Sequence, residues 1–362
     1  MSLTSPVLVW IVGALAVIVP VGLIVVWGRG PGGLGGRLLR LVGVVVCQVL
    51  AIGAVGLYAN NEYGFYTSWG EVIGESDAGG GAIDLTGLVP GNGSQGTVKT
   101  ITVRVPGAKG PEAARLPVLV WLPKQYDELR NRLTKFPTLM VLPGQPSTPQ
   151  AMFNGFGFAA QATQAIDSGK VPPFIAVFPP LMIDAPRDTE CTNVPGGPQA
   201  ETWLATSVRQ QVIKRFRSDP SGARWSSLGF STGGFCSAKL LLRSRTEFSA
   251  AVSIGGYFDA ETDSTTGDLF GGSRQLRNEN SPIWLIKQPP QRQTNLLIVA
   301  SKTDADTWKP GATYADTSQM VTQSSGIPGV ATLLLPRGGH NYSTYKPTLP
   351  QSLVWLKQVG AL

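Results

Sequence analysis

The sequence predicts an α/β fold in which helices cover both faces of a mostly parallel sheet, preceded by two transmembrane helices. From Thr97 onward, short apolar runs alternate with longer helix-like stretches, which is the pattern of a parallel sheet. Val7 to Trp27 contains no charged residue, and Leu41 to Ala59 is a second uncharged run. Hydrophobic residues make up 43% of the chain, which is high for a soluble enzyme and indicates that part of it lies in a membrane.

The two uncharged runs predict a membrane anchor. At about 1.5 Å per residue, the first run spans the roughly 30 Å hydrocarbon core of a bilayer. No positive charge precedes it before Arg29, so we interpret it as a retained helix and not a cleaved signal. The short stretch from Gly28 to Arg40 holds three arginines, which places it in the cytoplasm. The predicted organisation is an anchor over 1–60 with helices 7–27 and 41–59 and cytoplasmic loop 28–40, a linker over 61–96, and an extracytoplasmic domain over 97–362.

Strands are predicted where short apolar runs end at glycine or proline, and helices where the apolar period lengthens. Val98 to Val105 alternates apolar and polar residues as a half-buried strand does. Thr148 is a candidate N-cap for the helix that follows the third strand. The predicted strands are Val98–Val105, Leu116–Leu122, Leu139–Leu142, Phe174–Phe178, Ala223–Leu228, Ala250–Ile254, Leu296–Ala300 and Val330–Leu335, and the predicted helices are Gln150–Ser168, Gln199–Phe216, Gly234–Leu242 and Ser352–Val359.

The pentapeptide Gly229-Phe230-Ser231-Thr232-Gly233 has the form G-x-S-x-G. It stands between a predicted strand and a predicted helix, as a nucleophile elbow does, and the glycines leave room for a strained turn that exposes the serine. The pattern therefore predicts Ser231 as a nucleophile. A G-x-S-x-G can also arise by chance in a chain with 44 glycines, so the motif needs partners.

A serine hydroxyl needs a base, and His340 is the only histidine of the chain. Ser231, an acid and His340 follow three different predicted strands, in the chain order of α/β-hydrolase triads. Asp304 and Asp306 are both candidates for the acid. We favour Asp306, because the neighbouring Trp308 could hold the loop and a longer loop reaches the histidine more readily. Asp304 remains the alternative acid.

The oxyanion hole of such a site uses backbone amides. One donor is expected from Thr232, the residue after the nucleophile. The second is expected from the loop after the strand Leu139–Leu142, where we favour the amide of Gln145. Pro143-Gly144 is equally compatible with a simple turn.

Three cysteines are present, and Cys47 lies within the second apolar run. Cys191 and Cys236 are then the pair in the exported part, and an oxidising compartment favours a disulfide between them. Two free buried thiols are the alternative.

Four segments together resemble the putative esterase family: Pro143-Gly144, Gly229–Gly234, Ser253–Phe258 and Gly338–Ser343. That family holds S-formylglutathione hydrolases, feruloyl and enterochelin esterases and the secreted mycolyltransferases. The resemblance covers about Thr97 to the C-terminus. It implies an α/β-hydrolase fold and acyl-ester chemistry.

The same resemblance implies a triad of Ser231, His340 and one of the two aspartates. The aromatic residues that follow His340, Tyr342 and Tyr345, resemble the mycolyltransferases in particular. Pro143 is a departure, because those enzymes carry an acidic residue before the glycine of the oxyanion loop.

These observations predict a membrane-anchored, extracytoplasmic serine esterase or acyltransferase that works through an acyl-enzyme. Its position favours a lipid or envelope ester as substrate. A catalytically silent domain that serves as an envelope binding or scaffold module is the alternative, and a serine peptidase is a second one. The charges are interspersed, so nothing indicates nucleic-acid binding. No cofactor is expected, and Asp304-Ala305-Asp306 lacks the histidine or glutamate cluster that a metal site needs.

Overall fold

The computed structural model describes residues 5–29, 33–63, 93–109, 115–288, 294–302, 304, 312–336 and 338–362. The chain divides into two compact units, residues 1–76 and 77–362. The first unit contains two helices, α1 (Pro6–Val26) and α2 (Gly33–Tyr63). Both are long and apolar enough to cross a membrane.

The helix α2 begins earlier than the sequence analysis predicts. It starts at Gly33, so Arg37 and Arg40 lie on the helix and not in a loop that extends to residue 40. Arginine and leucine are good helix formers, so the helix extends beyond the apolar run at its amino end. The connection between α1 and α2 is therefore shorter than expected.

The second unit is built on one eight-stranded sheet of β1 (Thr97–Arg104), β2 (Arg115–Leu122), β3 (Thr138–Leu142), β4 (Ile175–Phe178), β5 (Trp225–Phe230), β6 (Ala250–Ile254), β7 (Asn295–Ser301) and β8 (Val330–Leu335). Their order across the sheet is β1-β2-β4-β3-β5-β6-β7-β8. The strands β3 to β8 run parallel, whereas β2 is antiparallel to both of its neighbours, β1 and β4. The predicted mostly parallel sheet is thus confirmed.

Helices cover both faces of this sheet. Trp121 of β2 packs in a core cluster with Phe158 on one face, and the preceding Val120 belongs to a cluster with Trp203 on the other. This alternation follows from the two-residue period of a strand. The helices are α3 (Pro149–Gly155), α4 (Phe158–Asp167), α5 (Ala200–Thr202, a π-helical turn Trp203–Val208, and Arg209–Arg215), α6 (Thr232–Arg243), α7 (Arg274–Glu279), α8 (Pro282–Leu285), α9 (Ala312–Gln323), α10 (Tyr342–Tyr345) and α11 (Leu349–Gln358).

The predicted helix over 150–168 is two helices in the structure. Gly157 separates α3 from α4 with a positive φ of 56°, a conformation that glycine adopts readily and that ends a helix. Thr148 caps α3 as predicted, because its hydroxyl accepts a hydrogen bond from the Ala151 amide at 3.1 Å.

The two ends of the sheet are distinct. The carboxyl ends of β3 to β8 lie at one end. The amino ends lie at the other, together with the end of β2 and the start of β1, because Trp121 pairs with Ala176 and Leu122 pairs with Thr97. The connection from β2 to β3 therefore lies at the amino end, opposite the loops that follow the parallel strands.

Candidate active site

Ser231 stands at the junction of β5 and α6, as the elbow motif predicts. Its backbone has φ 58° and ψ −124°, a combination that costs a non-glycine residue conformational energy. The structure fixes this turn by hydrogen bonds, since the Ser231 amide donates to the Ile254 carbonyl and the Phe235 amide donates to the Ser231 carbonyl. A strained turn held in this way lifts the serine hydroxyl out of the sheet.

The glycines around Ser231 permit the close approach of backbone segments. A Cβ on Gly229 would lie 2.0 Å from the Gly233 carbonyl oxygen, and one on Gly233 would lie 2.1 Å from the Leu142 carbonyl oxygen. A Cβ on Gly144 would lie 2.9 Å from the Ser231 Cβ. The loop after β3 therefore passes directly against the serine, in a space that only glycine fits.

A chain of hydrogen bonds runs from Ser231 to a buried carboxylate. The Nε2 atom of His340 lies 2.8 Å from the Ser231 Oγ, and its Nδ1 atom lies 3.0 Å from both carboxylate oxygens of Asp304. Asp304 is 1% exposed. This arrangement can accept a proton from the serine while the carboxylate orients the imidazole.

The carboxylate beside His340 belongs to Asp304 and not to Asp306, the acid that the sequence analysis favours. Asp304 follows β7 closely, so a short connection already reaches the histidine and a longer loop is not needed. Asp306 and Trp308 lie outside the described residues.

Tyr345 holds this carboxylate in place by a hydrogen bond. Its hydroxyl donates to Asp304 Oδ2 at 2.5 Å and accepts a hydrogen bond from the Ser301 amide at 3.1 Å. Burial and the neighbouring carboxylate raise the pKa of Tyr345 well above its usual range, so the hydroxyl remains a donor. The sequence singled out Tyr345 only as an aromatic residue near His340, and its contact with Asp304 could not be read from the chain.

An aromatic ring packs against the imidazole of His340. The Phe230 ring stacks on the imidazole with centroids 4.8 Å apart and an interplanar angle of 29°. Tyr342 packs against Phe230 at 5.1 Å, and its hydroxyl lies 2.6 Å from the Ser147 Oγ. The position x before the serine in the motif therefore has a structural role that the motif itself does not reveal.

The two predicted oxyanion donors belong to the two backbone segments next to Ser231, the start of α6 and the loop after β3. Thr232 is the first residue of α6, so its amide belongs to the unbonded first turn of that helix. Gln145 follows Gly144 in the loop that passes against the serine, and this loop turns through a hydrogen bond from the Ser147 amide to the Gly144 carbonyl at 2.8 Å. Both segments border the same hydroxyl.

Cys191 and Cys236 form a disulfide with their Cα atoms 5.9 Å apart. Both residues are buried. The bond attaches the loop after β4 to the second turn of α6, the helix that begins at the serine. The free Cys47 lies in α2.

The loop before this disulfide carries an acid that the sequence analysis did not single out. Asp188 is 4% exposed, and its carboxylate accepts a hydrogen bond from the Thr232 hydroxyl at 3.4 Å and from the Glu190 amide at 2.8 Å. Burial raises the pKa of Asp188, although both hydrogen bonds oppose that change. No motif marks this residue, because its place beside the elbow depends on how the loop folds.

Two further ionisable side chains, Glu190 and Lys239, are buried in the same region. Burial raises the pKa of Glu190 to about 8 and lowers the pKa of Lys239 to about 8. Lys239 donates to the Glu190 carbonyl at 2.8 Å and to Asn280 Oδ1 at 2.9 Å, while the Tyr257 hydroxyl donates to the Glu190 carboxylate at 2.7 Å. These contacts connect the disulfide loop with α6 and with the segment after β6.

Among the residues that the structure describes, no group of three or more histidine, cysteine, aspartate or glutamate side chains could hold a metal ion. The polar groups of the site are those of a serine, an imidazole and carboxylates. The chemistry they can perform is nucleophilic attack assisted by proton transfer.

An elbow serine after the fifth strand, an acid after the seventh and a histidine after the eighth define a protein of the α/β-hydrolase fold. The family model "Putative esterase" matches residues 113–356, and the chain belongs to that family. The structural neighbours include a ferulic acid esterase with a TM-score of 0.61 and 18% identity, covering 73% of this chain and 98% of the other.

A second structural neighbour is a fluorophosphonate-binding serine hydrolase of Staphylococcus aureus, with a TM-score of 0.57 and 17% identity, covering 72% of this chain and 98% of the other. Both likenesses show the shared fold. An uncharacterised protein of Corynebacterium glutamicum is 21% identical over 257 residues, which cover 67% of this chain. The chain spans 57% of the length of that curated relative.

Proposed function

We propose that this protein is a membrane-anchored serine esterase or acyltransferase whose catalytic domain lies outside the cytoplasm. The observation that carries the proposal is the unbroken chain of hydrogen bonds from Ser231 through His340 to Asp304. Membership of the esterase family supports the reaction class. In this proposal Ser231 is the nucleophile, His340 the base and Asp304 the residue that orients the base.

The reaction begins when the Ser231 Oγ attacks the carbonyl carbon of an ester while His340 Nε2 takes the serine proton. The amides of Thr232 and Gln145 hold the oxygen that becomes negative. Collapse of this intermediate breaks the ester C–O bond, and the leaving alcohol takes the proton from Nε2. Water or an acceptor alcohol then attacks the acyl-serine with His340 again as base, which regenerates the serine. An alcohol acceptor makes the reaction a transfer, and water makes it a hydrolysis.

The buried carboxylate has a defined task in this scheme. Asp304 accepts a hydrogen bond from the N–H group at Nδ1 of His340, which leaves Nε2 free to act as a base and stabilises the imidazolium that forms. Tyr345 positions Asp304, because its hydroxyl is held in turn by the Ser301 amide. Two supports on a carboxylate reduce the motion that would let the imidazole turn away.

The extracytoplasmic placement is supported by charge and by the disulfide. Arg29, Arg37 and Arg40 lie between or beside the two apolar runs, which favours a cytoplasmic position for that connection. The chain after α2 is then outside, where the disulfide of Cys191 and Cys236 is stable. A catalytic domain tethered there is suited to esters of lipids or of the cell envelope.

Labelling by a fluorophosphonate probe tests the nucleophile. The full-length protein in membranes should become labelled, and Ser231→Ala should remove both the label and at least about 99% of ester turnover. Ser325→Ala, at an exposed turn, is the matched control and should retain both. An unlabelled wild-type protein would favour the silent binding module, and faster cleavage of peptides than of esters would favour a peptidase. Mass spectrometry of the acyl-enzyme, with and without acceptor alcohols, would separate hydrolysis from transfer.

Protease accessibility tests the topology. External protease should cleave the catalytic domain in spheroplasts with intact membranes, because positive-inside orientation places residues after α2 outside. Cleavage that occurs only after lysis would reverse the orientation.

A further inference from the structure

The amino end of the sheet is the end at which the chain enters the catalytic unit. The turn Gly93–Gln95 immediately precedes β1, and the Trp121 indole donates a hydrogen bond to the Gln95 carbonyl at 2.8 Å. The β2–β3 connection, residues 123–137, begins one residue after Leu122 and lies at the same end. The linker from the two apolar helices therefore joins the domain beside this connection and opposite the catalytic hydrogen bonds.

This connection presents two leucines to solvent. Leu129 is 84% exposed and Leu133 is 90% exposed, whereas Leu276 and Leu334, the other exposed large hydrophobic side chains described in the catalytic unit, are 39% and 38% exposed. Solvent exposure of this extent leaves almost the whole of each side chain unburied. Two such leucines therefore stand four residues apart in one connection, and the domain itself covers neither of them.

The backbone below the leucines is held in place. The Asn131 side chain donates to the Gln125 carbonyl at 2.9 Å, and the Asn131 amide donates to the Glu128 carbonyl at 2.9 Å. Arg217 lies over the Tyr126 ring at 3.9 Å and donates to the Tyr126 carbonyl. The leucines are thus displayed on a fixed turn, and their exposure is a property of the fold.

Exposed basic side chains lie in the same connection as the two leucines. Arg132 and Lys135 are exposed in the same connection, and Arg130 is exposed while it forms an ion pair with Glu128 at 2.6 Å. Acidic residues also occur at this end, but they are fewer. The basic residues here are Lys124, Arg130, Arg132, Lys135, Lys170, Lys214, Arg215, Arg217, Arg224 and Arg245, and the acidic residues are Asp127, Glu128, Asp167, Asp219 and Glu247.

We propose that this basal surface, residues 123–137 with 214–217, docks on the anionic lipid headgroups of a bilayer, an inference that rests on the membrane anchor of the proposed function. Leu129 and Leu133 would enter the boundary between headgroups and acyl chains, and Arg132 and Lys135 would contact lipid phosphates. Apolar insertion combined with basic residues is the pattern by which peripheral segments bind membranes.

The covalent link makes weak docking sufficient. Two leucine side chains with a few basic residues bind lipid only weakly when the domain that carries them is free in solution. Here 29 residues separate Tyr63 of α2 from Gly93, so the bilayer is always near and docking is an intramolecular event at high effective concentration. The active site, at the opposite end of the sheet, would then open away from the bilayer, which favours an ester of the cell envelope over a lipid of that bilayer as substrate.

Fluorescence of the full-length protein in lipid nanodiscs tests this proposal. In a Cys47→Ser background, Leu133→Cys carries an environment-sensitive fluorophore, and Leu276→Cys, on α7, carries the same fluorophore as the matched control. In nanodiscs containing phosphatidylglycerol, the label at 133 should shift to shorter wavelength and be quenched by doxyl-labelled lipid, while the label at 276 should show neither change. The triple variant Arg130→Gln, Arg132→Gln, Lys135→Gln should lose most of the shift at 133 without a change in fluorophosphonate labelling.

Three results would overturn the proposal. The first is equal quenching of the two labels, and the second is quenching at 133 that is as strong in pure phosphatidylcholine as with phosphatidylglycerol. The third is a shift at 133 that persists in detergent and grows with protein concentration, because a second copy of the chain would then cover the leucines. The disulfide cysteines are both buried and bonded, so they do not compete for the label.

Discussion

The two ends of the central sheet differ in which side chains they bury. At the carboxyl end, polar groups are withdrawn from water and bonded to one another, as Asp304 is by His340 and Tyr345. At the amino end, Leu129 and Leu133 are exposed to solvent, in a connection that also carries exposed basic side chains. A rigid sheet lets each set of loops take its own chemistry without disturbing the other, since loops carry function and the scaffold carries the stability.

The loops also differ in charge. Those after β4 and β6, at the carboxyl end, are mainly acidic, while those before the strands are mainly basic. Such a polarity favours a fixed orientation of the domain on a negatively charged surface. Changes at the carboxyl end should therefore alter chemistry or stability and leave the proposed docking of the basal surface unchanged.

The largest effect is expected from Asp304→Asn. An amide in place of the carboxylate favours the wrong tautomer of His340, so kcat should fall by about a thousandfold or more while the fluorescence signal of docking stays as in the wild type. Steady-state kinetics with a chromogenic ester measures the loss. Asp306→Asn is the matched control and should keep nearly full activity. A large loss in Asp306→Asn with little in Asp304→Asn would return the role to Asp306.

The second effect concerns the disulfide between Cys191 and Cys236. Replacing Cys191 and Cys236 together by alanine removes a bond with a sequence separation of 45, which should lower the free energy of unfolding by about 4 kcal/mol. Unfolding by urea under non-reducing conditions measures this change. Cys47→Ser, which removes the free thiol of α2, is the control and should leave the urea transition of the catalytic domain where it was. A double variant as stable as the wild type would show that the loop after β4 is held by its buried contacts alone.

The smallest effect concerns the buried Glu190. Its folded-state pKa of about 8 lies above the usual value, so the folded protein retains a proton that the unfolded chain loses at lower pH. This contribution to stability is complete below about pH 4.5 and is lost as the pH rises through about 8.

Glu190→Gln should therefore reduce the decline in unfolding free energy between about pH 5 and about pH 8 by roughly 1 kcal/mol or more. Asp188, whose pKa is raised in the same direction, leaves a residual slope, and the lowered pKa of Lys239 acts above about pH 8. Urea unfolding at several pH values gives the slope. Glu279→Gln, on the surface helix α7, should keep the wild-type slope, and an unchanged slope in Glu190→Gln would contradict the assignment.

Much of the catalytic end could be predicted from the sequence because its elements have local signals. The elbow around Ser231 depends on glycines within three residues of it, and the lone histidine had no competitor. The choice between Asp304 and Asp306 depends on how far a loop must reach, which is set by the distance between β7 and the turn that holds His340. The chain alone does not contain that distance.

Other features depend on contacts between distant segments. Asp188 meets Thr232, and Lys239 meets Asn280, across 44 and 41 positions, so no local pattern marks either pair. The exposure of Leu129 and Leu133 could not be predicted either, because an apolar residue in a short connection has the same sequence signal whether its side chain is buried or exposed. Burial is decided by the tertiary structure in each of these cases.

The single imidazole also makes the protein its own spectroscopic probe. With histidine labelled by ¹³C and ¹⁵N, the nuclear magnetic resonance spectrum should contain one set of ring signals, and all of it comes from His340. Its two nitrogens face different partners, a hydroxyl on one side and a carboxylate on the other, so each step at the serine would change one set of signals without overlap. A polyhistidine purification tag would destroy this advantage, and a tag without histidine preserves it.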